Sequence, residues 1–557
     1  MKNALLIGAT LMLCSVALQA APLVPIDQEI TQAEVLALVD TSRPELKAFA
    51  AAMEAKNAAA AQQALVEHFA RRATPVIPPA SFPGIGEGNS TAVLGKASPE
   101  QAATWLKHTF TLSNNDIGKQ ETYDLGPQIQ WLNNPSEALS WILYLNQLNY
   151  LNSLAGLYRE NHDEKLALEI GQCLLSWSQQ VPRGYGYTNK GEIVNSGMEV
   201  RNRLCNLIAT YNVVRSSPSL TPQMHLAFWK VFIASARELQ TYEGVSFPGL
   251  IPLAVMYPEF TESRAWLKSG EANLRYCLLN RTSPEGAWDT ESISYQTVCV
   301  PWAARTLEFL QANPASGDFT AMAAMVKTQM EKLLGLMLWI AMPNGGSPNV
   351  GDTYGRADWS GGFTQSILRS YIHTQMNPEQ QVKLNAIPDP YTRLKAALAL
   401  AKSPWEGLPA LIGSPDPARD SYAFPGSGYY VMRSSWEPRQ ARYLYFDLTP
   451  QSLGHAHNDA GHFDLYAYGK PLLADTGDYF LGWGYRAALH NTIEVDGQDQ
   501  ARGAAATMLP HEWLSTNGFD FADLAHEAYG AQKINHRRKL LFVKPDYYIL
   551  CDLLTGE

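Results

Sequence analysis

Apolar residues recur at spacings of three and four from about residue 28 to residue 402. The clearest stripe covers residues 137–159, where leucines repeat at these spacings. Such a stripe lies on one face of an α-helix, so it predicts a long helix that faces a core. Stripes of the same kind predict further helices over residues 163–178, 196–214, 222–239, 262–279, 301–311, 320–339 and 364–373.

Turns rich in Pro, Gly and Asn separate these predicted helices, and no motif of fixed length recurs along them. A solenoid with a regular period is therefore not indicated. The pattern favours helical hairpins stacked in a ring or arc over residues 21–402.

The pattern changes near residue 403. Residues 403–420 are rich in Pro, Gly and Ser and are typical of a linker. Beyond them, a Tyr468-Gly469-Lys470-Pro471 turn joins two β-branched and aromatic runs, as in a hairpin. The sequence predicts an antiparallel β-sandwich over residues 421–557, and we expect it to be incomplete because the chain stops after an apparent inner strand. The predicted strands cover residues 428–433, 441–448, 462–468, 472–475, 492–495, 539–543 and 547–554.

The first twenty residues have the features of a removable export signal. Lys2 precedes an apolar run over residues 4–18, and small residues follow at Ala20 and Ala21. The run is shorter than a membrane-spanning helix requires, and no later segment is long and uncharged enough to span. We expect a signal peptide over residues 1–20 and a periplasmic or secreted product without a membrane span.

Charge and cysteine usage narrow the function classes. The formal net charge is -10 and basic residues are not clustered, which argues against nucleic-acid binding. An acidic polysaccharide stays possible as the substrate if the protein has a locally basic cleft. The six cysteines are widely spaced and contain no CxxC pair, so the spacing suggests neither a disulfide framework nor a zinc site with thiolate ligands.

The densest group of chemically capable residues lies in the predicted β domain. In extended backbone His455 and His457 point to the same side, because side chains alternate along a strand. Asp475 and His490 follow in turn-flanked positions. His457, Asp475 and His490 form a candidate metal site of two imidazoles and one carboxylate, which suits zinc and also other divalent ions.

A second polar cluster, residues 284–296, precedes an apolar helical stripe and contains Tyr295. It is also acidic: Glu285, Asp289 and Glu291 could supply the two carboxylates that a glycoside hydrolase places on either side of the scissile bond. Solvated turn residues are the more ordinary interpretation of such acidic positions.

Several segments together resemble the heparinase II/III-like polysaccharide lyases, most closely the heparinase III-type heparan sulfate lyases and also the oligoalginate lyases. The segments with residues 454–459, 469–477 and 490–497 look like that superfamily's HGHxD, GxPLLxDxG and HNTxxVDG signatures. The resemblance covers nearly the whole chain, and its helical part includes residues 141–148, 198–203, 257–260, 294–295 and 348–352. It implies an N-terminal (α/α) toroid followed by the β-sandwich, a multidomain α+β fold.

The resemblance also implies a reaction, β-elimination at a uronic acid. By position, Tyr295 would be the general acid and could also serve as the base, and His455 would be the base for the opposite C5 epimer. We expect Tyr295 and His455 to face each other across a groove, with Arg201 near enough to lower the pKa of the tyrosine. The metal held by His457, Asp475 and His490 would be structural.

One departure from the family concerns the group that neutralises the substrate carboxylate. Family members usually supply Asn or His from the helix before the Tyr295 region, and the stretch between His225 and Asn273 contains neither. The sequence therefore leaves Gln240, Ser246 or an arginine for this role. The other substrate-binding candidates are Asn146, Glu199 and Arg201.

Three classes of function stay open at this point. The first is a lyase acting on a heparan sulfate-like glycosaminoglycan, with alginate or another polyuronate as the nearest alternative substrate. The second is a glycoside hydrolase on an α/α toroid. The third is a glycan-binding protein that has kept the fold and lost catalysis, which the missing neutraliser would explain.

Overall fold

A computed structural model gives the structure of the protein. The described residues are 24–78, 94–114, 117–189, 192–195, 197–289, 291–353, 362–388, 390–400, 420–437, 440–449, 455–475, 485–502 and 512–556. The signal peptide expected over residues 1–20 lies outside them, as does the linker expected over residues 403–420 apart from Asp420.

The N-terminal region is mainly helical. Its helices are α1 Ile26–Glu29, α2 Gln32–Ala37, α3 Lys47–Glu54, α4 Ala58–Arg71, α5 Pro99–Trp105, α6 Leu139–Asn146, α7 Asn149–Asn161, α8 Glu164–Ser178, α9 Gly197–Val214, α10 Pro222–Thr241, α11 Phe247–Met256, α12 Ser263–Asn280, α13 Ile293–Ala312, α14 Thr320–Trp339, α15 Gly362–Gln375, α16 Pro378–Asn385 and α17 Pro390–Leu400.

Helices that are close along the chain pack against one another in this region. Each of the helices from α7 to α11 contacts the next helix, the one after it, or both, and α13, α14 and α15 continue the series. One continuous apolar core fills the space between α2 and α12, and it includes the fully buried rings of Trp141, Trp177 and Trp229. This arrangement agrees with the expected (α/α) toroid.

Two of the predicted helices differ from the structure. The stripe over residues 137–159 is not one helix, because Leu148 has φ +57° and separates α6 from α7. The apolar spacing continues across this turn, so the pattern alone does not reveal the break. The helix predicted from Pro301 starts earlier, at Ile293, where Ser292 caps it by accepting a hydrogen bond from the Tyr295 N–H.

The prediction of a wholly helical region also missed two hairpins, and its stripes did not include helices α1 to α5, α11, α16 and α17. Strands β1 Thr109–Asn114 and β2 Lys119–Asp124 form one hairpin, and β3 Tyr185–Asn189 and β4 Glu192–Asn195 form the other. Helix α11 was not predicted because its sequence is apolar on every side and contains Pro248 and Pro252, which hide the helical period.

The C-terminal region contains two antiparallel sheets. The first has the strand order β5-β6-β7-β8-β9 and the second has the order β10-β11-β12-β13. Apolar residues of both sheets, such as Phe446 and Leu540, share one buried cluster, so the sheets pack face to face as a sandwich. The strands are β5 Tyr422–Phe424, β6 Tyr429–Arg433, β7 Tyr443–Asp447, β8 Phe463–Ala467, β9 Lys470–Leu473, β10 Glu512–Ser515, β11 Phe519–Tyr529, β12 Ile534–Val543 and β13 Tyr547–Gly556.

The turn between β8 and β9 is the one that the sequence predicted. Tyr468 and Gly469 both have positive φ, 55° and 76°, as a two-residue hairpin turn of type I′ requires. By contrast, the strand predicted over residues 492–495 is wrong. These residues form a loop with an isolated bridge between Val495 and Gln498, because His490 and Asn491 bind inward to the first sheet.

Direct contacts join the helical and β regions. The carboxylate of Glu285 accepts hydrogen bonds from the Gly426 N–H at 3.0 Å and from the Ser427 hydroxyl at 2.6 Å. The hydroxyl of Tyr443 donates to the Ile340 carbonyl at 2.7 Å. A second apolar core also includes residues of both regions. The shared core and these polar contacts hold the two regions in a fixed relative position.

None of the helices in the described part of the chain is both long enough and apolar enough to cross a membrane.

Candidate active site at the domain interface

Tyr295 lies in the first turn of α13, which fixes its backbone at the edge of the helical region. The Ser292 hydroxyl accepts a hydrogen bond from the Tyr295 N–H at 3.3 Å and donates one to the Asp352 carbonyl at 2.7 Å. One hydroxyl thus caps the helix and ties it to the loop that carries Asp352. Because Tyr295 is only half-buried, its ring is accessible from the surface.

The structure brings Tyr295 and His455 into direct contact. Their ring centroids are 3.4 Å apart and their planes differ by 12°. The two side chains therefore do not face each other across a groove as the sequence led us to expect. No sugar ring fits between rings at this distance, so a substrate would meet the pair from one side.

Asp352 connects the two histidines of the HxH segment. Its Oδ2 lies 2.7 Å from His455 Nδ1 and its Oδ1 lies 2.9 Å from His457 Nε2. Burial disfavours the charged form of Asp352, but the hydrogen bonds to both histidines outweigh burial and lower its pKa. An ionised carboxylate only accepts hydrogen bonds, so His455 carries a proton on Nδ1 and His457 carries one on Nε2. Nε2 is then the nitrogen of His455 that would take up a proton from a substrate.

The loop beside Asp352 depends on a glycine. Gly351 has φ +61°, and a Cβ placed on it would lie 2.3 Å from the His455 carbonyl oxygen and 2.7 Å from the Glu291 carbonyl oxygen. The Asp352 N–H donates to the same His455 carbonyl at 2.9 Å. Backbone from three segments meets at this point, and only a residue without a side chain permits the approach.

The candidate metal ligands converge as the sequence predicted. One ligand atom from each of His457, Asp475 and His490 lies within 4.8 Å of the others, and all three side chains are buried. His490 Nδ1 is 2.9 Å from Asp475 Oδ2. His457 Nδ1 and His490 Nε2 have no hydrogen-bond partner among the described residues. Two buried imidazole nitrogens without partners, together with a carboxylate, fit a divalent metal ion.

Two residues of this site were not singled out from the sequence. Asp352 belongs to one of the segments of the resemblance. Nothing in its sequence neighbours indicated that its carboxylate would hydrogen-bond to His455 and His457, which follow 103 and 105 positions later. Arg502 donates from Nε to Asn458 Oδ1 at 2.6 Å and from Nη2 to the Ala456 carbonyl. Arg502 is exposed, so it adds a positive charge to the surface beside the HxH segment.

The two charged candidates on α9, Arg201 and Glu199, are both buried. The Arg201 guanidinium donates to Asn202 Oδ1 and to the Val245 carbonyl, and it lies 4.3 Å above the ring of Trp302. Glu199 accepts a hydrogen bond from the Gln147 side chain at 2.6 Å, and burial raises its pKa. These contacts place both residues within the helical core beneath α13.

Asn146 is fully engaged inside the helical core. Its Nδ2 donates both hydrogens, to the carbonyls of Trp131 and Ile142, and its Oδ1 accepts one from Trp177 Nε1 at 2.8 Å. A substrate contact by this amide would require breaking one of these bonds. The position therefore favours a structural role for Asn146.

Residues 240–247, where we expected the group that neutralises the substrate carboxylate, are bound by the neighbouring helix α12. Asn273 on α12 accepts from the N–H groups of Ser246 and Phe247 and donates to the Gly244 carbonyl. Ser246 is buried in this arrangement. Gln240 is exposed at the end of α10, where it donates to the Ser269 hydroxyl at 3.3 Å.

The acidic cluster before α13 does not have the arrangement of a hydrolase pair. Glu285 binds Gly426 and Ser427 at the domain interface, as described above. Asp289 forms an ion pair with Arg281 at 2.7 Å. The carboxylates of Glu285 and Asp289 thus have structural partners, which does not favour the hydrolase alternative.

Comparison with known proteins identifies two matching family models. The model described as the heparinase II/III N-terminus matches residues 35–375, and the model described as heparinase II/III-like, C-terminal, matches residues 416–557. Both halves of the candidate site lie within these ranges.

Relatives and solved structures agree with these matches. The chain is 22% identical to a heparin-sulfate lyase of Bacteroides stercoris, over 94% of this chain and 77% of that protein. It is also 22% identical to a heparin-sulfate lyase of Pedobacter heparinus, over 83% of this chain and 67% of that protein. A solved structure of heparinase III is similar in fold with a TM-score of 0.68 and 19% identity, covering 94% of this chain and 79% of that one.

Proposed function

The chain belongs to the heparinase II/III family, and on that premise we propose that it is a polysaccharide lyase that cleaves a uronic-acid-containing glycan by β-elimination. The observation that carries the proposal is the contact between Tyr295 and His455, at 3.4 Å between ring centroids. It joins a phenol of the helical region and an imidazole of the β region, the two kinds of group that can move the protons of this reaction.

In the proposed reaction, a base takes the C5 proton of the uronate and the C5–H electron pair forms the C4–C5 double bond. The bond from C4 to the glycosidic oxygen then breaks, and a general acid protonates that oxygen. We assign the acid to Tyr295, which also serves as the base for one C5 epimer. His455 Nε2 serves as the base for the other epimer, and Asp352 holds the His455 ring in the required tautomer.

The negative charge that develops on the substrate carboxylate needs a positive counterpart. Arg201, Gln240 and Ser246 stay candidates, but Arg201 and Ser246 are buried and Gln240 binds Ser269 at the end of α10. Arg502 is exposed and is fixed by its bonds to Asn458 and Ala456. We therefore assign the neutralising charge to Arg502.

His457, Asp475 and His490 would hold a divalent metal ion, with zinc as the first choice. When bound, the ion would stabilise the segment that follows His455 and would not take part in proton transfer. The protein's own contribution is the bond from His457 to Asp352, which couples this segment to the candidate base.

Heparan sulfate is the substrate that we propose first, because the relatives are heparin-sulfate lyases. Alginate or another polyuronate is the alternative within the same chemistry. A periplasmic or secreted location, with a cleaved signal peptide over residues 1–20, forms part of the proposal and rests on the sequence pattern alone.

One assay tests the reaction class. The purified protein is incubated with heparan sulfate, chondroitin sulfate, hyaluronan and alginate while the ultraviolet absorbance of the unsaturated uronate is followed. We expect the absorbance to rise with at least one of these glycans. New reducing ends without absorbance would instead identify a hydrolase, and binding without either signal would identify a glycan-binding protein.

A further inference from the structure

A second cluster of metal-binding side chains lies in the helical region, apart from the site at the domain interface. One ligand atom from each of His108, Glu169 and Cys173 lies within 4.8 Å of the others. His108 precedes β1, whereas Glu169 and Cys173 are both on α8, four positions apart and thus on one helix face. We propose that these three side chains form a separate binding site for a divalent transition metal ion such as Zn²⁺.

The hydrogen bond of His108 determines which of its nitrogens faces the cluster. His108 Nδ1 lies 2.6 Å from the Gly126 carbonyl oxygen, which can only accept, so Nδ1 carries a proton. A histidine that binds a metal usually donates its other N–H to a carbonyl or carboxylate in this way. The second nitrogen, Nε2, therefore points toward Glu169 as a metal-binding histidine would.

The short distance from His108 Nε2 to Glu169 Oε1, 2.9 Å, needs a positive charge between these atoms. A neutral imidazole would present a lone pair to the carboxylate, which is repulsive. Either a second proton on the imidazole or a metal ion removes this repulsion. The remaining neighbour decides which is favoured: Cys173 Sγ is 3.0 Å from the same Glu169 oxygen, and sulfur is a ligand that zinc prefers.

An unsatisfied hydroxyl supplies independent support. The side chain of Tyr150 is 94% buried, and its hydroxyl has no hydrogen-bond partner among the described residues. The Tyr150 ring packs against Phe110, two positions after His108, with 4.8 Å between the ring centroids, which places Tyr150 on the side of the helical core that carries the cluster. A water molecule in the open fourth position of a three-ligand metal site would give this hydroxyl a partner.

The two contacts that Glu169 makes within the cluster need only small movements to admit an ion. Bonds of about 2.0 Å to nitrogen and oxygen and about 2.3 Å to sulfur require tetrahedral ligand atoms to be roughly 3.3–3.5 Å apart. The atoms now 2.9 and 3.0 Å apart would separate by a few tenths of an ångström. On binding, a metal–sulfur bond forms, the S–H bond of Cys173 breaks, and its proton leaves to solvent.

This inference revises the expectation that the cysteines form no thiolate metal site. That expectation considered close pairs along the sequence, whereas His108 and Glu169 are 61 positions apart. The bound ion would fasten the β1-β2 hairpin to α8, because His108 lies at the base of the hairpin. The site is independent of the proposed lyase reaction.

Cobalt spectroscopy on the full chain tests the proposal. The protein is stripped with a chelator, dialysed and titrated with Co²⁺. We expect a thiolate-to-cobalt charge-transfer band in the near ultraviolet, which Zn²⁺ then abolishes because it binds more tightly. The site formed by His457, Asp475 and His490 contains no thiol, so an ion bound there does not give this band.

Matched variants identify the thiol. Cys173→Ser and His108→Gln should each lose the band and one bound ion per chain, whereas Cys551→Ser, which removes the exposed cysteine, should keep both. His108 is partly exposed at a turn, so its variant is informative even if Cys173→Ser fails to fold. A wild-type spectrum without the band, or a band that depends on Cys551, would overturn the proposal and leave a metal-free ion pair between His108 and Glu169.

Discussion

Tyr295 and His455 are stacked with their ring planes 12° apart, although they belong to different regions of the chain. The two rings stay in contact only while the first turn of α13 and the HxH segment keep their relative position. The proton transfer that we propose should therefore respond both to the loss of either ring and to changes in the contacts that hold the rings together.

Replacing Tyr295 with Phe removes the phenol oxygen and keeps the ring that stacks on His455. We expect lyase activity to fall by about 100-fold or more, because a general acid of this kind contributes roughly 10²–10⁴-fold. The initial rate of ultraviolet absorbance increase measures the effect, and circular dichroism checks the fold. Tyr468→Phe, at an exposed turn, is the matched control and should retain full activity. Undiminished activity of Tyr295→Phe would remove this residue from the mechanism.

Asp352→Asn tests the tautomer that we assign to His455. An amide can accept only through its oxygen and would present an N–H to one of the two histidines, so the His455 ring would lose its fixed orientation. We expect kcat to fall about 100-fold or more, with a much smaller change in KM. Asp318→Asn, an exposed position on the surface, should have no effect. A change confined to KM would show that Asp352 acts on binding instead.

Removing the charge of Arg502 tests the assignment of the carboxylate neutraliser. Arg502→Gln should lower kcat/KM by about 10²-fold, in the range found for the loss of one transition-state donor. Arg502→Lys should recover part of the loss, because it restores the positive charge but not the planar guanidinium with its paired N–H donors. The measurement is the lyase rate at several substrate concentrations. If Arg502→Gln matches the wild type, Gln240, Ser246 or Arg201 must supply this function.

His490→Ala removes one of the proposed metal ligands at the domain interface. We expect the variant to bind one metal ion fewer per chain and to melt several degrees lower, since about 1 kcal/mol corresponds to about 2–4 °C for a domain of this size. Elemental analysis and thermal unfolding with and without a chelator measure the two effects. His373→Ala, at an exposed position of α15, serves as the control. Wild-type protein that is free of metal and fully stable would contradict the prediction.

Burial of His225 makes stability depend on pH. Its pKa is lowered from 6.5 to about 4 because the buried imidazole loses its hydration. Below about pH 6.5 the unfolded chain takes up a proton that the folded protein does not bind until about pH 4. Stability therefore falls over this window as the pH decreases, by about 2 kcal/mol at about pH 5.

The variant His225→Gln isolates this contribution. Urea unfolding at about pH 7.5 and about pH 5 should show a smaller pH-dependent loss of stability in the variant than in the wild type. His373→Gln, which changes an exposed histidine, should leave the pH dependence as it is in the wild type. Equal pH dependence in wild type and His225→Gln would contradict the assignment.

The sequence predicted the family and the fold class correctly, and both predictions are confirmed by the family models and by the solved structures of similar fold. Helix periods are local signals, which explains why most of the helices could be predicted. The break at Leu148 was not predictable, because a single residue at positive φ leaves the spacing of the leucines intact. The loop over residues 492–495 was taken for a strand because tertiary bonds, not propensity, decide its conformation.

The candidate site was predictable only where its residues are close along the chain or part of a recognisable segment. His455 and His457 are two positions apart, and Asp475 and His490, which converge with His457, lie in the same region. Asp352 comes from the helical region and acquires its role only through folding. The substrate-binding residues predicted by position stay predictions. The sequence does not reveal that Asn146 and Arg201 are buried and that their side chains form internal hydrogen bonds.

The glycine at position 351 sets how closely the backbones beside the two stacked rings can approach. Adding even one methyl group there would press on the carbonyl oxygens of His455 and Glu291, and the backbones on either side would have to move apart. The contact between Tyr295 and His455 therefore depends on a hydrogen atom where other residues carry a side chain. Gly351→Ala should accordingly loosen this ring pair without changing either ring.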